Sequence, residues 1–206
     1  MRLSHFISNH LDAILAEWVA FARTFRVPAD HMSTLALQDH AKAILQAIAL
    51  DIETGQNPSE QYEKSRGLAP EAGVVSAASV HGALRQVDEF SLIQLSSEFR
   101  ALRATVLRLW LPRVTVMAAS AVTDMIRFNE AIDQALAESV ITYSARADQS
   151  RELFLAILGH DLRAPLSTMA MSAEVLLRPQ LAADQIPVLG ARIRRSAKLM
   201  GSKWQT

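Results

Sequence analysis

The chain has 206 residues, half of them apolar, and its 21 basic residues balance 21 acidic ones. This length allows one large domain or two small ones with a sizeable core. With a net charge of zero, the sequence lacks the excess of basic residues that is typical of a nucleic-acid-binding protein. The sequence contains no cysteine, which excludes disulfides and thiolate metal sites and is typical of a reducing compartment.

The N-terminal segment does not have the pattern of a secretory signal. Its apolar residues are interleaved with polar ones such as Asp12, Glu17 and Arg23. The longest uncharged apolar stretch, residues 114–123, is about half a membrane span. We therefore expect a soluble, cytoplasmic protein that does not enter the membrane.

The sequence predicts an all-α fold. Glycine and proline, seven of each, cluster at a few boundaries, and no segment shows the sustained alternation of a strand. The first helix is predicted over residues 3–25, where apolar residues recur mostly at three- and four-residue steps. These residues are Ile7, Leu11, Ile14, Leu15, Trp18, Ala22 and Phe25.

A second helix is predicted to begin after Asp30 or Ser33, either of which could cap it, and to end before Gly55. Its apolar face consists of Leu37, Ala41, Ile44, Leu45, Ile48 and Ile52.

Three further helices complete the predicted N-terminal domain. A short one covers residues 59–65, a longer one covers 75–87, and another begins near Ser91 and ends or bends at Pro112. Residues 1–113 are therefore interpreted as a compact helical domain with its own core.

The segment after residue 113 predicts one long helix, because neither glycine nor proline occurs from 114 until Gly159. A narrow apolar seam on an otherwise polar helix favours pairing with a second helix, as in a coiled coil. The alternative is a single helix packed on its own domain. We interpret residues 114–152 as a signalling helix, with a seam at Ile132, Leu136, Val140, Tyr143 and Ala147.

The C-terminal segment, residues 153–206, predicts a helical hairpin. A turn region over 178–187 is bounded by Pro179 and Pro187, and a last helix follows it. This helix has no clear stop signal before Thr206, which favours a natural protein that continues further.

The run Phe-Leu-Ala-Ile-Leu-Gly-His-Asp-Leu-Arg-Ala-Pro-Leu at 154–166 carries the strongest chemical signal. His160 lies two residues from both Leu158 and Leu162, which places it about 200° around a helix from the apolar stripe. That stripe is Phe154, Leu158, Leu162, Leu166, Met169, Ala173 and Leu176. The imidazole is therefore expected to face solvent, where a catalytic domain can reach it.

Two neighbours of His160 suit phosphate chemistry. The carboxylate of Asp161 can orient the imidazole tautomer or take a proton as a ring nitrogen attacks a phosphate. Pro165 has no N–H, so the carbonyl of Asp161 lacks its helical partner and the helix is expected to loosen or kink there.

This run resembles the phosphoacceptor box of sensor histidine kinases: an apolar lead-in, His, an acid, two residues, a polar position and Pro. The resemblance implies a homodimeric four-helix bundle in which His160 accepts phosphate from Mg-ATP, assisted by Asp161 and Pro165, and passes it to the receiver domain of a response regulator. The kinase's own ATP-binding domain would be a further partner. Its Gly-rich loops are absent from this sequence, so the chain alone is expected to be inactive as a kinase.

One position departs from the family pattern. Many members carry Thr or Asn four residues after the acceptor, where it aligns a water molecule for dephosphorylation of the regulator. Ala164 occupies that position here, which predicts weak phosphatase activity.

The N-terminal domain also resembles a known module. The strings at 81–85, 90–92, 98–103 and 107–110 resemble the globin-like, usually haem-free sensor domain of bacterial stressosome proteins and some histidine kinases. In such a fold His81 is a candidate haem ligand, and the alternative is a histidine satisfied at a helix surface or by Glu98. The remaining histidines have no metal-ligand spacing, so no metal is expected.

Three functions remain open on the sequence. The first is the sensory and phosphoacceptor region of a two-component histidine kinase. The second is a non-enzymatic, stressosome-like dimeric scaffold. The third is a haem-based gas sensor.

Overall fold

The computed structural model describes residues 1–25, 34–67 and 75–202. Over these ranges the chain forms eight α-helices and no strand, which confirms the all-α prediction. The chain divides into two compact units, Met1–Ala147 and Asp148–Thr206.

The predicted first helix is two helices, α1 (Leu3–Asn9) and α2 (Leu11–Ala22). The break is at His10, whose φ and ψ are −126° and 23°. Its ring stacks on Phe6 at 4.5 Å, and its Nδ1 lies 3.1 Å from the Phe6 carbonyl oxygen. The predicted apolar face is nevertheless buried on both sides of the break, at Ile7, Ile14, Leu15, Trp18 and Ala22.

Helix α3 (Thr34–Glu53) contributes the next part of the core. The proposed capping residues Asp30 and Ser33 lie outside the described residues. The predicted face is buried at Ala41, Ile44, Leu45, Ile48 and Ile52.

The short helix predicted near residue 59 begins with a capping box. The Asn57 side chain accepts hydrogen bonds from the backbone of Ser59 and Glu60, and the Glu60 side chain accepts one from the Asn57 backbone. The next helices of the first unit are α4 (Pro58–Lys64), α5 (Ala77–Val87), α6 (Leu92–Trp110) and a 3₁₀ turn at Leu111–Arg113.

Helix α7 (Ala119–Leu176) has 58 residues, and its first half belongs to the first unit. Phe128 and Ile132 are fully buried, and the seam residues Leu136, Val140 and Tyr143 pack against the same core. The first compact unit therefore extends beyond residue 113, the predicted end of the N-terminal domain, to residue 147. The seam predicted to face a partner helix is covered by the protein's own domain. An apolar stripe predicts that a helix face is buried, but not which surface buries it.

Polar contacts fix this half of α7 in the unit. The buried carboxylate of Asp124 accepts hydrogen bonds from the Arg2 side chain at 2.8 Å and the Leu3 backbone at 2.9 Å. Further along, Ser139 donates to the Ala78 carbonyl at 2.6 Å, and Tyr143 donates to that of Phe90 at 2.6 Å.

The second unit is a hairpin of the remainder of α7 with α8 (Gln185–Ser202). Helix α8 begins three residues earlier than predicted, so Pro187 lies in its first turn, where the missing N–H leaves no hydrogen bond unmade. Helix α7 continues through Pro165 without interruption. None of the helices formed by the described residues is both long and apolar enough to cross a membrane.

Candidate functional site

Each helix of the hairpin carries a seam, a row of positions that are less exposed than their neighbours. On α7 the row includes positions 158, 162, 165, 169, 172 and 176, which are buried or half-buried and follow one another at alternating four- and three-residue steps. On α8 the positions 189, 193, 196 and 200 do the same. This spacing is that of two helices packed side by side at a shallow angle.

His160 lies outside this seam, and its side chain is 85% exposed. Helical spacing places Leu158 and Leu162 toward α8 and the imidazole on the other side of the helix. The orientation expected from the sequence is therefore found.

The predicted apolar stripe is divided between two faces of α7. Leu158, Leu162 and Met169 lie in the seam, whereas Phe154 and Leu166 are 63% and 51% exposed. Leu166 shares its face with one other exposed leucine, eleven residues or about three helical turns earlier. This exposed row consists of Leu155 and Leu166.

Asp161 is placed beside the ring of His160. Its Oδ1 lies 3.7 Å from Nδ1, within ion-pair range but longer than a hydrogen bond. A carboxylate on this side favours the tautomer that carries its proton on Nδ1. The lone pair on Nε2 is then available to attack an electrophile.

Ala164 is exposed one turn after His160 and offers no hydrogen-bonding side chain. The hydroxyl of Thr168, one turn further, donates to the Ala164 carbonyl at 3.0 Å. The position that aligns water in the resembled family therefore carries only a methyl group here.

A second cluster of titratable groups lies in the core of the first unit. The Nε2 of His81 lies 3.1 Å from Oε2 of Glu98, as in the alternative given for His81 from the sequence. Arg85 forms a bidentate pair with the same carboxylate, at 2.8 Å from Nε and 2.9 Å from Nη2. The sequence interpretation missed Arg85, although its four-residue spacing from His81 puts both on one face of α5.

In this structure His81 is paired with Glu98 beside a small cavity. The cavity beside the ring has a volume of about 10 Å³, whereas sites for ligands of cofactor size are of the order of 300–1,000 Å³. The Nε2 of the His81 ring is also already in contact with the Glu98 carboxylate.

The charge states in this cluster follow from burial and pairing. Burial lowers the pKa of His81 by more than the hydrogen bond and charge of Glu98 raise it, so the ring is neutral. Burial by itself raises the pKa of Glu98, but the hydrogen bond from His81 and the paired guanidinium of Arg85 outweigh it and lower the pKa. Among the described residues the buried Nδ1 of His81 has no hydrogen-bond partner, which further disfavours a proton there.

Stability of the first unit is therefore expected to fall on acidification. The unfolded chain takes up a proton on His81 near pH 6.5, whereas the folded chain resists it until lower pH. The free energy of unfolding should decrease below about pH 7 by up to about 1.4 kcal/mol per pH unit. Protonation of Glu98 should lower the free energy of unfolding further, at pH values below the ordinary pKa of a glutamate.

Urea unfolding of a Trp204→Phe chain at pH 7.5, 6.5 and 5.5, followed by the fluorescence of Trp18 and Trp110, would measure this slope. His81→Gln should flatten it between pH 7 and 5.5. An unchanged slope in that variant would contradict the assignment to His81.

Two of the three arginines of α6 are ion-paired. Arg103 pairs with Asp133, and Arg108 pairs with Glu17. Glu98, in contrast, is buried at 1% exposure. In the part of the chain that the structure describes, no group of three or more potential ligands is placed to hold a metal ion.

No family model, curated protein or solved structure matches this chain. The resemblances to histidine kinases and to globin-like sensor domains therefore depend on the residues named above.

Proposed function

We propose that this chain is the sensory and phosphoacceptor region of a cytoplasmic two-component histidine kinase, with His160 as the acceptor. The observation that carries the proposal is the 85% exposed imidazole of His160 on a hairpin helix, with the Asp161 carboxylate on its Nδ1 side. The first unit is, on this proposal, a globin-like sensor domain, and α7 is the segment that connects its core to His160.

The geometry supports the following chemistry. The Nε2 lone pair of His160 attacks the γ-phosphorus of Mg-ATP supplied by a separate ATP-binding domain. The bond from that phosphorus to the bridging oxygen breaks, and ADP leaves. Asp161 holds the proton on Nδ1 and offsets the positive charge that develops on the ring. The phosphoryl group then passes to a receiver domain of a response regulator.

The exposed faces of the hairpin support a homodimer. Besides the leucine row on α7, helix α8 exposes Ile186, Val188 and Leu199 by more than half. A two-helix hairpin with apolar residues on its outer faces can bury them by pairing with a second copy, which gives a four-helix bundle. The proposed interface begins after residue 147 and not at Ile132, since Ile132 is buried within one chain.

Light scattering at micromolar concentration should give twice the mass of one chain. Leu166→Asp should shift the equilibrium toward the monomer, because it places a charge within the exposed row. The matched control is Ile93→Asp, which changes an 80% exposed residue of the first unit and should leave the mass unchanged. A monomeric wild-type chain would contradict the dimer.

The proposed function is tested by mixing the chain with a histidine-kinase ATP-binding domain and ATP labelled at the γ-phosphate. Label should appear on the chain as a phosphoramidate, which is labile in acid and stable in alkali. The absence of label, or a label that survives acid, would favour a non-enzymatic scaffold instead.

Ala164→Asn is expected to raise dephosphorylation of the regulator. One positioned hydrogen bond to the attacking water commonly changes a rate by about 100-fold, and a methyl group cannot supply it. Labelling of His160 should be unchanged, since Ala164 is exposed and one turn away.

The control is Ala156→Asn, which places the same amide one turn before His160 at another exposed position. Release of inorganic phosphate from the labelled regulator is the measurement. A fast wild-type reaction that neither substitution alters would mean that another group positions the water.

A further inference from the structure

A cavity of about 210 Å³ lies in the first unit, between α3, α4, the start of α5 and α7. Several of the side chains around it are alanines, which leave space between helices that larger residues would fill. Ala47, at an exposed position of α3, also lines it. The apolar walls include Ile44, Ile48, Ala78, Ala131 and Ala135.

The cavity is lined by two carboxylates and one lysine, which leaves one negative charge in excess. Lys64 and Asp51 neutralise each other in an ion pair of 2.5 Å. Glu138 accepts hydrogen bonds from the Ser76 hydroxyl at 2.5 Å and the Gln134 amide at 3.0 Å, and both donors are uncharged. Within the described ranges no Lys, Arg or His lies at ion-pair distance from Glu138.

The carboxylate of Glu138 can accept further hydrogen bonds. A carboxylate has about four lone-pair sites, and these two hydrogen bonds use two of them. Glu138 is half-buried and lines the cavity beside apolar side chains. A positive charge there gains more than in open water, because the local dielectric constant is lower.

We propose that this cavity binds a small amphipathic monocation, a primary amine on a compact apolar body. The ammonium group would pair with Glu138, and the apolar body would contact the isoleucine and alanine walls. The volume is below the range of drug-sized sites, which fits an amine of metabolite size. An anion is disfavoured, since it would face Glu138 and compete with Asp51 for Lys64.

This site does not depend on phosphate acceptance at His160. Binding is measured on the chain alone, without ATP, an ATP-binding domain or a regulator. A failure of one proposal therefore leaves the other to be judged separately.

Isothermal titration of the full chain with three probes of similar shape tests the proposal: phenethylamine, phenethyl alcohol and phenylacetate. Phenethylamine should bind and raise the unfolding temperature of the first unit. Phenethyl alcohol should bind at least about tenfold more weakly, because it lacks the charge-assisted hydrogen bond, and phenylacetate should not bind.

Two variants localise the binding. Glu138→Gln should weaken phenethylamine by about tenfold or more, whereas Asp133→Asn, which removes one carboxylate from an exposed position of the same helix, should not. Ala47→Leu should also weaken binding by filling the cavity, and its exposed position keeps the fold intact. The proposal is overturned if phenethylamine does not bind, if the three probes bind equally, or if both Glu138→Gln and Ala47→Leu bind like wild type.

Discussion

His160→Gln is expected to abolish labelling of the chain by ATP in the presence of an ATP-binding domain. Glutamine has a similar reach and remains polar, but its amide nitrogen has no available lone pair to attack phosphorus. The fold should be retained, because the replaced side chain is 85% exposed and contributes little to the hairpin seam. We expect acid-labile label to fall to background, with unchanged circular dichroism and unfolding temperature.

The matched control is His5→Gln, which alters a histidine whose side chain is 67% exposed in the first unit. It should be labelled like wild type. If His160→Gln still accepts acid-labile phosphate, then another histidine is the acceptor and the proposed function loses its central residue. If both variants lose label together, the loss reflects the assay and the assignment to His160 fails its control.

Gly82→Ala is expected to destabilise the first unit strongly. Helix α5 crosses α7 at this glycine so closely that an added Cβ would lie 2.0 Å from the carbonyl oxygen of Ser139. Both partners are helix backbone, so neither can move without shifting a helix. The Ser139 hydroxyl also donates to the Ala78 carbonyl at 2.6 Å, and a displaced helix would lose this bond. We expect a loss of about 3 kcal/mol in the free energy of unfolding.

Gly190→Ala is the corresponding control. Gly190 also lies inside a helix, α8, but nothing lies within 4 Å of the added Cβ. Alanine is a better helix former, so this change should be neutral or stabilise the hairpin by up to about 1 kcal/mol. With the third tryptophan removed by Trp204→Phe in every variant, urea unfolding followed by the fluorescence of Trp18 and Trp110 reports on the first unit. A Gly82→Ala chain as stable as wild type would show that α5 and α7 do not cross this closely.

The sequence by itself determined the helices and several of their faces. Three- and four-residue spacing of apolar residues is a local property of a helix, so the buried faces of α2 and α3 follow from it. The same argument gave the outward direction of His160, which depends only on its angle from Leu158 and Leu162. It also allowed the His81–Glu98 pair as an alternative, because a histidine in an apolar helical domain needs a polar partner.

The tertiary structure decided which surface covers each face. The seam of α7 predicts a coiled coil, with packing on its own domain as the alternative, and the structure places Phe128 and Ile132 inside the first unit. The break at His10 is marked by no glycine or proline in the sequence.

The remaining features arise between helices distant in the sequence. Arg85 joins Glu98 across α5 and α6, Gly82 permits the close approach to Ser139, and the alanines around Glu138 leave a cavity. Periodicity along one helix specifies which residues are buried, but the distance between two helices depends on the side chains of both. These contacts therefore follow only from the packed structure.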